Sequence, residues 1–152
     1  MFQRVLLCYD GTEAGRRALK RGAELAIFLK SRVYVLSIVP PSEFDPGVMA
    51  GAAGHACLVD CRMTDHQRQM EESISWLRAR GTDAQGFLTS GNIVDEIAAH
   101  VGRLNIDLIV LGHYPQPSGG MWWTRGARST LAERTRCCIL VANERGLPAD
   151  PA

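Results

Sequence analysis

Lysine is scarce in this chain. Only Lys20 and Lys30 occur, so the basic side chains are almost all arginine, and the formal net charge is +1. That balance gives no bulk electrostatic case for binding nucleic acid or an anionic membrane. Long apolar runs are also missing: none approaches the ~20 residues that span a bilayer. The N-terminal MFQRVLLCYDG has no extended hydrophobic region and no small-residue cleavage site, so no signal peptide is expected. The cysteines at 8, 57, 61, 137 and 138 are odd in number and follow no framework of spacings. Reduced thiols and a cytoplasmic location are the expectation.

Several enzyme motifs are absent as well. There is no G-x-x-x-x-G-K-[ST] phosphate loop and no G-x-G-x-x-G after the first strand. Gly-x-Ser-x-Gly, the nucleophile elbow of hydrolases, does not occur. Asp10 stands alone, without the acidic cluster and late lysine of a phosphoacceptor domain. His55, Cys57, Cys61 and His66 raise the question of a metal, but their spacing fits no common zinc pattern, and no metal site is expected. His100 and His113 have no evident nucleophile partner, and no catalytic residue is assigned.

What is present is an alternation of strands and helices. QRVLLCYD is a short apolar run that breaks at Asp10-Gly11-Thr12, and a helical pattern with Thr12 as N-cap follows to Lys30. Ala18, Gly22, Leu25, Ala26 and Leu29 form its inner face. RVYVLSIV is the second strand. The segment from Ser42 to Asp60 reads as a loop whose end feeds a helix running to about Arg80, with Met63, Met70, Ile74 and Leu77 inward. TDAQGFLTS is a weaker strand, polar enough for a sheet edge. Asn92 caps a helix lined by Ile93, Ile97, Val101 and Leu104. IDLIVLG is the strongest strand, Ala127 to Thr135 the fourth helix, and CCILVA the last strand. This order predicts one α/β domain over residues 1–143 with a short tail over 144–152. Its sheet is doubly wound, mostly parallel and five-stranded, with helices on both faces.

Ligands of open α/β sheets bind beyond the carboxyl ends of the strands. The turn at Asp10 and the connection GHYPQPSGGMWWTRG after the fourth strand are therefore the places to look. That connection holds glycines at 112, 119, 120 and 126, together with Trp122 and Trp123. Two readings stand. Its glycines and the following helix N-terminus cradle a phosphate, or it is a surface loop whose tryptophans pack locally or meet a partner subunit.

Four segments together resemble the universal stress protein family: RVLLCYDGTEAGRRALKRGAELA, VYVLSIV, GNIVDEIAAHVGRLNIDLIVLGH and WWTRGARSTLAERTRCCILVA. The resemblance runs from about Arg4 to Asn143. It implies strand order 3-2-1-4-5, which sets the Asp10 turn and the Gly112 loop on either side of one crevice. It also implies an adenine nucleotide there, ATP or a relative, with Mg as a possible companion ion. Asp10, with Gly11 and Thr12, matches the family's acid at the end of the first strand. Ile38-Val39 matches the backbone segment beside adenine.

ATP-binding members carry Gly-x-x-Gly, nine residues, then Gly-Ser/Thr after the fourth strand. Here Gly112 is the first glycine, followed by His113, but Pro115 stands at the second and Arg125 at the third. Gly126 comes one position late and is followed by Ala127, with Ser129 and Thr130 as the nearest hydroxyls. Arg125 and Arg128 offer side-chain charge in compensation. The resemblance further implies a homodimer paired through CCILVA, with little or no turnover. The alternative is a stress-type dimer that binds no nucleotide and acts through protein contacts, with Trp122 and Trp123 as anchors.

Overall fold

The structure, a computed structural model, describes residues 1–39, 52–113 and 125–143; for 52–60, 113 and 125 it describes the backbone alone. The elements are β1 (Arg4–Tyr9), α1 (Glu13–Phe28), β2 (Arg32–Val39), α2 (Ala52–Arg78), β3 (Ala84–Ser90), α3 (Ile93–Leu104), β4 (Leu108–His113), α4 (Arg125–Thr135) and β5 (Cys138–Asn143). The sheet has order β3-β2-β1-β4-β5, and all four pairings are parallel. The predicted fold class and strand order are both found.

Period-two burial along β1 divides the core into two layers. Val5, Leu7 and Tyr9 face a cluster with Leu19, Ala23, Ala26, Met70, Ile74 and Leu77 from α1 and α2. Leu6 and Cys8 face Ile97, Val101 and Leu131 from α3 and α4. The two crossovers that move toward β3 put their helices on one face, and the two that move toward β5 put theirs on the other. Right-handed connections require this. Small residues let α1 lie close to the sheet, since a Cβ on Gly22 would stand 2.3 Å from Val110 Cγ1.

Helix ends follow their capping residues. Thr12 Oγ accepts from Gly15 N–H at the start of α1, and Asn92 Oδ1 accepts from Val94 and Asp95 N–H at the start of α3. Three expectations need correction. α2 begins at Ala52, inside the stretch read as loop, because its alanines favour helix more than its glycines oppose it. α4 begins at Arg125, two residues before the expected Ala127. Leu25 lies outside the buried face of α1, which Leu19 and Ala23 complete instead.

Candidate functional site

The order β3-β2-β1-β4-β5 reverses direction between β1 and β4. The chain leaves β1 toward one face and leaves β4 toward the other, which opens a crevice at the carboxyl edge of the sheet. Cys8 pairs with Leu111, so the same register carried on sets Gly112 level with Tyr9 and His113 level with Asp10. The N-terminus of α4 lies at this edge because α4 follows β4.

The turn after β1 is held rigidly. Asp10 is largely buried, and its Oδ1 accepts from Thr12 N–H at 3.0 Å and from the Thr12 hydroxyl at 2.8 Å. Thr12 Oγ accepts in turn from Gly15 N–H at 3.0 Å. The carboxylate therefore sits at the positive end of α1, where the helix dipole favours it. Gly11 has φ +81°, a left-handed conformation that suits glycine.

α2 forms the facing wall. Arg62, Asp65, His66 and Gln69 are spaced at three and four residues, and with Asp10, Gly11 and Thr12 they line an open cleft of about 230 Å³. The His66 ring lies directly over Gly11, where an added Cβ would come within 2.2 Å of Cε1. His66 Nδ1 is 2.9 Å from Oγ of the fully buried Ser37 on β2. The Tyr9 hydroxyl donates to Gln69 Oε1. Burial, and then the charge of Asp10, raise the Tyr9 phenol well above its usual range. Arg16 bridges Glu13 at 3.0 Å and Glu72 at 2.7 Å, tying α1 to α2 beside the cleft.

The other expected site residues fall at the same edge with different surroundings. Ile38 and Val39 are fully buried at the end of β2, and the Val39 carbonyl accepts from Gly91 N–H at 3.3 Å. Gly112 is buried against α1, and its absent Cβ would stand 3.1 Å from the Gly15 carbonyl oxygen. Close packing of α1 on β4 thus accounts for glycine at 112 without a ligand. In the first turns of α4, Gly126 and Ser129 are exposed, Ala127 packs on the core, and the Thr130 hydroxyl donates to the Gly126 carbonyl at 2.9 Å. Pro115, Trp122 and Trp123, and the side chains of His113 and Arg125, lie outside the described residues.

Asp10 offers a fixed anionic acceptor, and the α2 wall adds further hydrogen-bonding groups. Among the described residues, no three His, Cys, Asp or Glu side chains are placed to hold a metal ion. Of the suspected metal group, Cys61 is exposed, His66 is bonded to Ser37, and the side chains of His55 and Cys57 lie outside the described residues. Sequence reasoning weighed His66 only as a metal ligand and passed over Arg62, Asp65 and Gln69. Their polar stripe at helical spacing was the available signal.

The sequence profile of the Universal stress protein family matches residues 1–120. No curated protein matches the sequence significantly. Similar solved structures include a universal stress family protein from Burkholderia pseudomallei (TM-score 0.69, 19% identity, covering 97% of each chain). Another is a family protein from Arabidopsis thaliana with AMP bound (TM-score 0.61, 13% identity, covering 98% of this chain and 97% of that one). A third is the Archaeoglobus fulgidus universal stress protein in complex with dAMP (TM-score 0.59, 14% identity, covering 93% and 98%).

Proposed function

The chain belongs to the universal stress protein family, and on that premise we propose that it is a regulatory module binding an adenine nucleotide in the crevice between β1 and β4. The observation that carries this reading is the Asp10 turn. Its carboxylate is oriented by Thr12 at the end of β1, and on the α2 side it also borders an open cleft of about 230 Å³. A preformed acceptor of this kind suits the base or ribose of a nucleotide. Two solved relatives of the same fold carry AMP and dAMP.

The phosphates lie toward α4 in this reading. The first turn of a helix presents free N–H groups and about half a positive charge. Gly126 and Ser129 are exposed there, and Arg125 and Arg128 add charge where the backbone cradle is interrupted by Pro115. Any Mg ion would enter with the phosphates. In this reading the module senses the nucleotide with little or no turnover. The cytoplasm is the proposed location, in keeping with Cys8, Cys137 and Cys138, which form no disulfide. Among the described residues, no helix is long and apolar enough to cross a membrane.

The chain is proposed to form a homodimer through β5, an edge strand whose Val141 is 41% exposed. Pro115 favours a second reading, in which the dimer has lost nucleotide binding and acts through protein contacts. Proline has no N–H to offer a phosphate. Native mass spectrometry of protein purified without added ligand separates the two. A mass increment equal to an adenine nucleotide supports the first. A bare chain, together with no thermal shift in millimolar ATP or AMP, supports the second.

A further inference from the structure

Exposed large apolar side chains are few among the described residues: Met1, Leu25, Phe28 and Val141. Apart from Met1, all lie on one side of the molecule. Val141 is on β5, the edge strand, and is 41% exposed. Leu25 and Phe28 are on α1, at 37% and 82%. One flank of α1 faces α2: Arg16 bridges Glu72 there, and the Lys20 ammonium stands 5.6 Å from the centre of the Trp76 ring. The underside packs on the sheet through Gly22, against Val110 of β4 and Ala142 of β5. At about 100° per residue, Leu25 falls on the flank opposite α2, over β5, and Phe28 falls at that flank's outer margin.

We propose that this flank of α1 is the second layer of a two-fold interface, and that its occupant is the same flank of a second copy. The inference rests on the β5 dimer put forward above and names what that dimer needs besides the strand. Two identical edges exchange equivalent hydrogen bonds about a two-fold axis only when they run antiparallel. That axis stands perpendicular to the sheet, so both α1 helices come to the same face. β5 has 6 residues, which make an edge about 20 Å long. With a sheet about 10 Å thick, it offers roughly 200 Å² per copy, against about 800 Å² per partner in a stable complex. A strand pair alone falls short of that area.

Spacing identifies what fills the difference. α1 lies over β4, where Gly15 and Ala18 meet Gly112 and Gly22 meets Val110. β4 and its symmetry mate would be three strand spacings apart, about 14 Å. Helices in direct contact are about 8–10 Å apart. Small side chains would leave the gap open, whereas leucine and phenylalanine from both copies bridge it. β5 continues the apolar surface: Leu140 faces the α1 side, and Ile139 and, by alternation, Val141 face the α4 side. Arg21, on the same flank of α1, is exposed, so its stem can cover apolar surface while the guanidinium stays in water.

Sedimentation equilibrium of the whole chain over a range of concentrations measures the interface. The double variant Leu25→Ala, Phe28→Ala removes only side chains that are exposed in the single chain, and circular dichroism verifies its fold. Val141→Lys instead places a charge on the edge strand.

The wild-type chain is expected to be dimeric. Both variants are expected to raise its dissociation constant by about 10-fold or more, since each residue acts twice in a two-fold interface. A wild-type dimer weakened by Val141→Lys but not by the double variant would overturn the α1 layer and leave the β5 dimer standing. A wild-type dimer that Val141→Lys does not weaken, or a chain that is monomeric throughout, would overturn the β5 dimer, and this inference with it.

Discussion

Asp10 and Gly15 leave no room between them. A Cβ on Gly15 would lie 2.3 Å from Asp10 Oδ1 and 3.0 Å from Thr12 Oγ1. The first turn of α1 thus closes directly onto the carboxylate that the turn after β1 presents, and glycine is what that closure requires. Gly102, in the last turn of α3, is the contrasting case, with nothing within 4 Å of its absent Cβ.

The two glycines should respond in opposite directions to alanine. On the exposed last turn of α3, Gly102→Ala is expected to stabilise by up to about 0.5–1 kcal/mol, the difference in helix propensity. Gly15→Ala has the same propensity gain but displaces Asp10 or the helix, at a cost of about 1–3 kcal/mol typical of overpacking. Urea unfolding of both variants checks this. Equal effects of the two substitutions would contradict the close fit at Asp10.

Gly11 gives a second test, because strain and contact act at one position. Its φ of +81° disfavours any side chain, and the His66 ring fills the space a Cβ would need. Gly11→Ala is expected to destabilise by about 1–2 kcal/mol from backbone handedness alone, and by more with the clash. Removing the ring with His66→Ala should recover the steric part and leave the backbone part. A double-mutant cycle by thermal or urea unfolding measures the coupling, and strictly additive effects would place the ring elsewhere.

Stability should decline in alkali. Burial raises the Cys8 thiol, and burial together with the Asp10 carboxylate raises the Tyr9 phenol. For both groups the folded-state value lies above the unfolded one, so the unfolded chain releases its proton first. Their contribution is fully present below the unfolded values, about 8.5 for a thiol and about 10 for a phenol, and is lost progressively as pH rises from there toward the raised folded values. Unfolding midpoints from pH 7 to pH 11 should fall in that window. Cys8→Val should flatten the first part of the decline, and an unchanged profile would argue against the thiol's share.

The fold was legible because each signal was local and repeated. Apolar runs in β1, β2 and β4 ended at turn residues, and Thr12 and Asn92 marked helix starts through hydroxyl and amide groups that now accept from N–H donors. The start of α2 was not legible, because glycine and alanine alternate there and the two pull in opposite directions. Asp10 was legible as a site residue from its position after a buried strand. The α2 wall was not, since Arg62, Asp65, His66 and Gln69 look like an ordinary solvated helix face until the crossover lays them against Gly11. Gly112 was read through the ligand it would admit, whereas its neighbours are Gly15 and Ala18 of α1. Sequence spacing records that a glycine is needed but not which side needs it.

Asp10→Asn is the sharpest test of the proposed nucleotide contact at Asp10. The amide keeps the size and the Oδ1 acceptor that Thr12 uses, and removes the charge. Calorimetric titration of ATP and AMP into the wild-type chain and the folded variant should show one site per chain. Asp10→Asn should weaken it by about 10-fold or more, the scale of a hydrogen bond to a charged group. Wild-type protein that takes up neither nucleotide would rule out the nucleotide site, and a variant that binds as tightly as wild type would rule out the Asp10 contact.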